Sequence, residues 1–120
     1  MSQYSLYIPP FIDSDVKEIY VKLSGYVYAR STAEKFLDEL EDKLEQIRKY
    51  PLSCAVDTVY PALTAMNVRK SVLWGGRYLM LYIVEGKTVI IIMIERAERD
   101  YITAFEANLR LYEEELERNG

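Results

Sequence analysis

The sequence predicts an α+β domain, a two-layer sandwich of order β-α-α-β-β-β-α in which a helical hairpin packs on an antiparallel sheet. Three observations carry this. Apolar residues recur at helical spacing from Ile12 to Ile47. Strand-like segments separated by two glycine turns fill 68–95, and a last helical stripe passes through Ile102, Phe105, Leu109, Tyr112 and Leu116. The length of 120 residues suits a single domain, 1–120, with room for a core that needs no staples.

Each element follows from local chemistry. Tyr4 to Ile8 reads as a short strand of aromatic and β-branched residues, ended by Pro9 and Pro10. Asp13 or Ser14 is a good N-cap for a first helix over about 14–29. Its apolar stripe is Ile12, Val16, Ile19, Leu23 and Val27. Gly25 weakens that helix by about 1 kcal/mol relative to alanine. Ser31-Thr-Ala-Glu34 reads as a capping box that opens a second helix. Ala33, Phe36, Leu37, Leu40, Leu44 and Ile47 form its apolar face, and Pro51 stops it near residue 49.

Residues 51–66 have no clean period and read as a loop, with a short helical turn or an extended piece around Ala55 to Tyr60. Val68 to Trp74 alternates in a strand pattern, and Gly75-Gly76 is a hairpin turn. Tyr78 to Val84 is nearly all apolar, as a central strand covered on both faces would be. Glu85-Gly86-Lys87 turns the chain into a third strand, Thr88 to Glu95. Asp100 caps the final helix, which runs to about 117, and the helices are expected together on one face of the sheet.

Composition removes several chemistries. There is no histidine and one cysteine, Cys54, so a disulfide scaffold, a Cys/His zinc site and any His-dependent triad are excluded. No cofactor or metal is expected. The lone thiol, the absence of a leader pattern before Pro10 and the short apolar run Val89 to Ile94 predict a cytoplasmic protein with no membrane partner. Charge is unevenly spread: 1–66 carries net −3, 67–99 net +3 and 100–120 net −4. The basic middle suggests an anion-binding or partner-binding face holding Arg69, Lys70 and Arg77.

The order of elements resembles the RelE/ParE superfamily of bacterial toxins from type II toxin–antitoxin systems. The residues that carry this are the strand ending in proline before a helix, and the helix Ala33…Phe36…Leu40…Leu44…Ile47 closed by Pro51. The strand Tyr78-Leu-Met-Leu-Tyr82-Ile-Val84 and the tail Arg96-Ala-Glu-Arg99-Asp100-Tyr101 complete it. Together they cover about 4–105, and they lie closer to the ParE-like branch. The resemblance implies the toxin of a plasmid-stabilisation system that inhibits growth and is neutralised by a cognate antitoxin. ParE-like members poison DNA gyrase, whereas RelE-like members cleave mRNA on the ribosome without a metal. A homodimer is left open.

The two branches ask different things of the residues. Metal-free RNA cleavage needs proton transfer and cations around the phosphorane. Arg96, Arg99 and Tyr101 are the candidates for it in this chain. RelE-like nucleases usually carry an arginine three residues before the tyrosine matching Tyr82; here that residue is Leu79. The tail also has Arg96 where ParE-like members often have histidine, and Glu98 for the first basic residue of their arginine pair. The pI of about 4.9 is unlike that of a ribosomal-RNA binder. Three readings stand: a gyrase-directed binding toxin, an mRNA endonuclease, and an inactive relative that keeps the antitoxin-binding fold.

Overall fold

A computed structural model describes residues 4–25 and 30–119. The chain opens with β1 (Ser5–Tyr7), α1 (Pro10–Gly25) and α2 (Arg30–Lys49). A short helix α3 (Pro61–Ala65) precedes the meander β2 (Arg69–Leu73), β3 (Tyr78–Glu85) and β4 (Thr88–Arg96), and α4 (Tyr101–Asn119) follows. β2, β3 and β4 pair antiparallel as expected. β1 joins β4 in parallel, with Leu6 opposite Val89, so the sheet is mixed and ordered β1-β4-β3-β2.

The hairpin docks on one face through periodic apolar residues. Ile12, Ile19 and Leu23 of α1 meet Ala33, Phe36, Leu40 and Ile47 of α2. Below them lie Met80, Tyr82, Val89 and Ile91 of the sheet. Tyr82 is fully buried, and its hydroxyl donates to the Pro51 carbonyl at 2.7 Å. That bond ties the central strand to the end of α2.

α1 starts one turn earlier than the Asp13 or Ser14 cap predicts. Pro10 occupies its first position, where a missing N–H costs nothing, and the Pro9 carbonyl accepts from the Ile12 N–H at 3.0 Å. The expected end of this helix, with Val27, lies outside the described residues. α2 already includes Ser31, so the anticipated cap sits inside its first turn, and Glu34 instead lies 3.9 Å from Arg30. α2 ends at Lys49, two residues before Pro51.

The C-terminal helix does not join the hairpin. Phe105 and Tyr112 of α4 pack on Leu79, Leu81, Ile83, Ile90 and Ile92, on the opposite face of the sheet. The reason is in β3 itself. Its residues Tyr78 to Ile83 are all buried, alternating between the two faces, so both need cover.

A bulge adjusts β4 to this double burden. Leu81 is opposite Met93 but Tyr82 is opposite Ile91, which leaves Ile92 as the extra residue. Ile92 and Met93 consequently both face α4. The Ile92 carbonyl is satisfied by the Asn108 side-chain amide at 2.9 Å, which accounts for a buried asparagine on α4.

The β2–β3 connection is longer than the two glycines predict. Trp74, Gly75 and Gly76 have successive φ values of 54°, 65° and 85°. A left-handed tryptophan costs about 1–2 kcal/mol. Its backbone N–H donates to a Glu39 carboxylate oxygen at 2.5 Å, and its ring meets Phe36 edge-on at 5.8 Å. These contacts turn Trp74 onto α2.

Asn108→Ala would strand the Ile92 carbonyl in apolar surroundings. Its expected cost is about 1–3 kcal/mol, read as a lower urea midpoint with an unchanged slope.

Candidate functional site

The residues between α2 and β2 carry a polar centre within an otherwise apolar frame. The Val56–Arg69 bridge and the bond from the Asp57 N–H to the Val68 carbonyl at 2.8 Å hold this segment along β2. Asp57 is thereby carried inside and is only 1% exposed. Its Oδ1 accepts from the Val59 N–H at 2.8 Å and the Tyr60 N–H at 3.2 Å, an Asx turn that leads into Pro61 and α3. Its Oδ2 accepts from the Tyr101 hydroxyl and lies 3.4 Å from Lys70 Nζ.

Neighbouring rings complete the cluster. Tyr60 meets Tyr101 edge-on at 4.9 Å, and its hydroxyl donates to the Arg99 carbonyl. Lys70 Nζ sits 5.6 Å from the Tyr101 ring centroid. One carboxylate thus fastens the 57–60 segment, β2 and the first turn of α4.

The electrostatics are those of a fastening. Burial pushes the Asp57 carboxyl up, but the Tyr101 bond, two backbone N–H groups and Lys70 together bring it below the usual carboxylate range. Burial, then the bond to Asp57, raises the Tyr101 hydroxyl above its ordinary value. At neutral pH the pair is carboxylate and phenol, each satisfied by the other. Tyr101 is 8% exposed, and its hydroxyl donates inward to Asp57.

The structure distributes the candidate residues over separate places. Arg69 donates to the carbonyls of Leu52 at 3.2 Å and Cys54 at 2.6 Å, holding the loop after α2. Lys70 is committed to Asp57. Arg77, Arg96 and Arg99 are exposed. Arg77 and Arg96 lie at one end of the sheet, where Tyr78 pairs with Arg96 and the Ala97 N–H donates to the Arg77 carbonyl at 2.8 Å. Arg96 Nε is 3.9 Å from Glu98. The net charge of 67–99 therefore does not make one continuous cationic face, because Arg69 and Lys70 are spent on internal contacts.

Asp57, Tyr60 and Thr64 are absent from the sequence-based candidates. Thr64 Oγ1 donates to the Asp57 carbonyl at 2.6 Å and tightens the same turn. The readable signal is Asp57 placed three residues ahead of Tyr60-Pro61, an Asx turn followed by proline at a helix start. Among the described residues no group of three or more Asp, Glu or Cys side chains is arranged to hold a metal ion. No described helix is long and apolar enough to cross a membrane.

Comparison with known proteins adds a second line. A family model described as the ParE toxin of the type II toxin–antitoxin system parDE matches residues 11–101. The match stops at the first residue of α4. Among solved structures, the chain is similar to one from the chromosomal ParDE TA system of P. aeruginosa, with a TM-score of 0.65 at 18% identity. The likeness covers 82% of this chain and 100% of that one, and at this identity it speaks to the fold. No curated protein matches the chain.

The Asp57 centre sets an acid response with a definite sign. A folded carboxyl held below its unfolded value, about 3.9 for Asp, contributes stability that is present above that value and lost as pH falls through the folded one. Asp57→Asn should lower the denaturation midpoint at pH 7 and flatten its fall below about pH 4. Tyr101→Phe should cost about 1–3 kcal/mol at pH 7.

Proposed function

Because the chain belongs to the ParE toxin family of type II toxin–antitoxin systems, we propose that it arrests growth by binding DNA gyrase and that a cognate antitoxin holds it inactive. The observation that favours binding over catalysis is the inward commitment of Tyr101. A metal-free nuclease needs a group that can give or take a proton at the phosphate. The arginines around it stabilise charge but stay protonated. With the Tyr101 hydroxyl on Asp57 and Lys70 paired to the same carboxylate, Arg96 and Arg99 have no such partner among the expected residues.

A binding toxin needs only an accessible surface of stated chemistry. Arg77 and Arg96, exposed at one end of the sheet, are the cations we assign to target contact, and Arg99 extends them beyond β4. Arg69 and Lys70 serve this surface indirectly, by holding the segment beside β2.

Purified protein added to a gyrase supercoiling reaction is the direct test. Inhibition is expected, and Arg77→Ala with Arg96→Ala should weaken it about tenfold, the effect of losing about 1.4 kcal/mol of contact. In cells, induction should leave plasmids relaxed while ribosome-bound mRNA stays intact. Cut mRNA with normal supercoiling would return the reading to an endonuclease using Arg96, Arg99 and Tyr101. Unimpaired growth would mark an inactive relative.

A further inference from the structure

The carbonyls of Arg77, Arg96 and Arg99 are all engaged, and two of the three donors lie in the connection between β4 and α4. The Arg77 carbonyl accepts from the Ala97 N–H at 2.8 Å, and the Arg96 carbonyl accepts from the Glu98 N–H at 2.9 Å, closing a three-residue turn. These bonds fix the chain as it leaves β4. Arg99 lies further on, two residues before α4, so its carbonyl falls outside the helical ladder. The bond it accepts comes from the Tyr60 hydroxyl, 39 residues away in sequence.

Tyr60 is mounted to hold that bond. Its N–H donates to Asp57 Oδ1 at 3.2 Å. Its carbonyl accepts from the Leu63 N–H at 3.0 Å and the Thr64 N–H at 3.1 Å, so its backbone is fixed from both sides. Its ring rests edge-on against Tyr101 at 4.9 Å, and Tyr101 is in turn bonded to Asp57. The hydroxyl therefore reaches Arg99 from a rigid base. The bond it makes is exposed to water, whereas that of Tyr101 to Asp57 is buried. An exposed bond between neutral groups adds little to overall stability, because water replaces either partner. Its effect is to select one course for the backbone at Arg99.

Arg99 has use for such a guide. It is exposed, and among the described residues no carboxylate lies within ion-pair distance of it, whereas Arg96 has Glu98 at 3.9 Å. A long, unpaired side chain on a wandering backbone loses much freedom when a partner immobilises it, and a backbone fixed beforehand lowers that cost. We propose that Tyr60 is a positioning residue for target binding: its hydroxyl sets the backbone from which Arg99 reaches the target, in one frame with Arg77 and Arg96. This deepens the toxin reading, on which it rests for the target alone.

Tyr60→Phe in the full chain removes the hydroxyl and keeps the ring against Tyr101. One measurement needs no target. In backbone amide relaxation by NMR, the order parameters of Arg99 and Asp100 should fall from about 0.85 to below about 0.6, with β4 and the interior of α4 unchanged. The other is gyrase supercoiling. Tyr60→Phe should inhibit about fivefold more weakly than the wild type, with its urea midpoint barely moved. Placed on Arg99→Ala it should cost nothing more, whereas on Arg77→Ala the two losses should multiply. A wild type that leaves gyrase untouched would refute the assigned target, and the relaxation data would then judge the positioning by themselves. Unchanged order at Arg99 and Asp100, full inhibition by Tyr60→Phe, or a loss that multiplies on Arg99→Ala would each overturn the proposal.

Discussion

The architecture depends on one constraint: the two central strands are apolar on both faces. From Tyr78 to Ile83 and from Val89 to Ile94 every residue is buried. Such a sheet cannot leave a side in water, since each large apolar side chain is worth roughly 1.5–3 kcal/mol in burial. The hairpin therefore occupies one face and α4 the other. The bulge at Ile92, the asparagine that satisfies it and the Tyr82 bond to Pro51 are adjustments that let both covers fit one sheet.

The family match stops where α4 begins. The second cover is thus carried by a part of the chain beyond the matched region, and it has its own attachment. Asp57 binds Tyr101, the first residue of α4, while Tyr60 reaches the Arg99 carbonyl just before it. At the other end, the Tyr7 hydroxyl donates to Glu115 and is pushed up to about 12 by that bond. Polar bonds pin the helix at both ends, and Phe105 and Tyr112 supply the apolar contact between them.

Most of the element order was legible in the residues. The apolar periods of α2 and the meander, the proline after α2 and the glycines of the turns correspond to local physics that tertiary contacts did not override. Three things were less visible. The start of α1 moved because proline at a first helical position competes well with a side-chain cap. The face taken by α4 was written in the double apolarity of β3, but amphipathicity alone does not say which face a helix covers. The polar centre was missed because Asp57 lies in an irregular stretch, and only packing reveals that a lone aspartate is inside. For the same reason the summed charge of 67–99 does not show which contacts its side chains make. Charge counts cannot tell that Arg69 and Lys70 turn inward to carbonyls and a carboxylate.

Trp74 is the one tryptophan in the chain. It sits against Phe36, with its backbone bonded to Glu39, so its fluorescence monitors the seam between α2 and the sheet. The opposite seam, under α4, is lined by Tyr101, Phe105 and Tyr112 and is spectroscopically dim by comparison. An optical melt of this protein therefore watches one half of its interior. Detachment of the C-terminal helix would pass unnoticed in such a trace unless a far-ultraviolet or tyrosine signal were followed beside it.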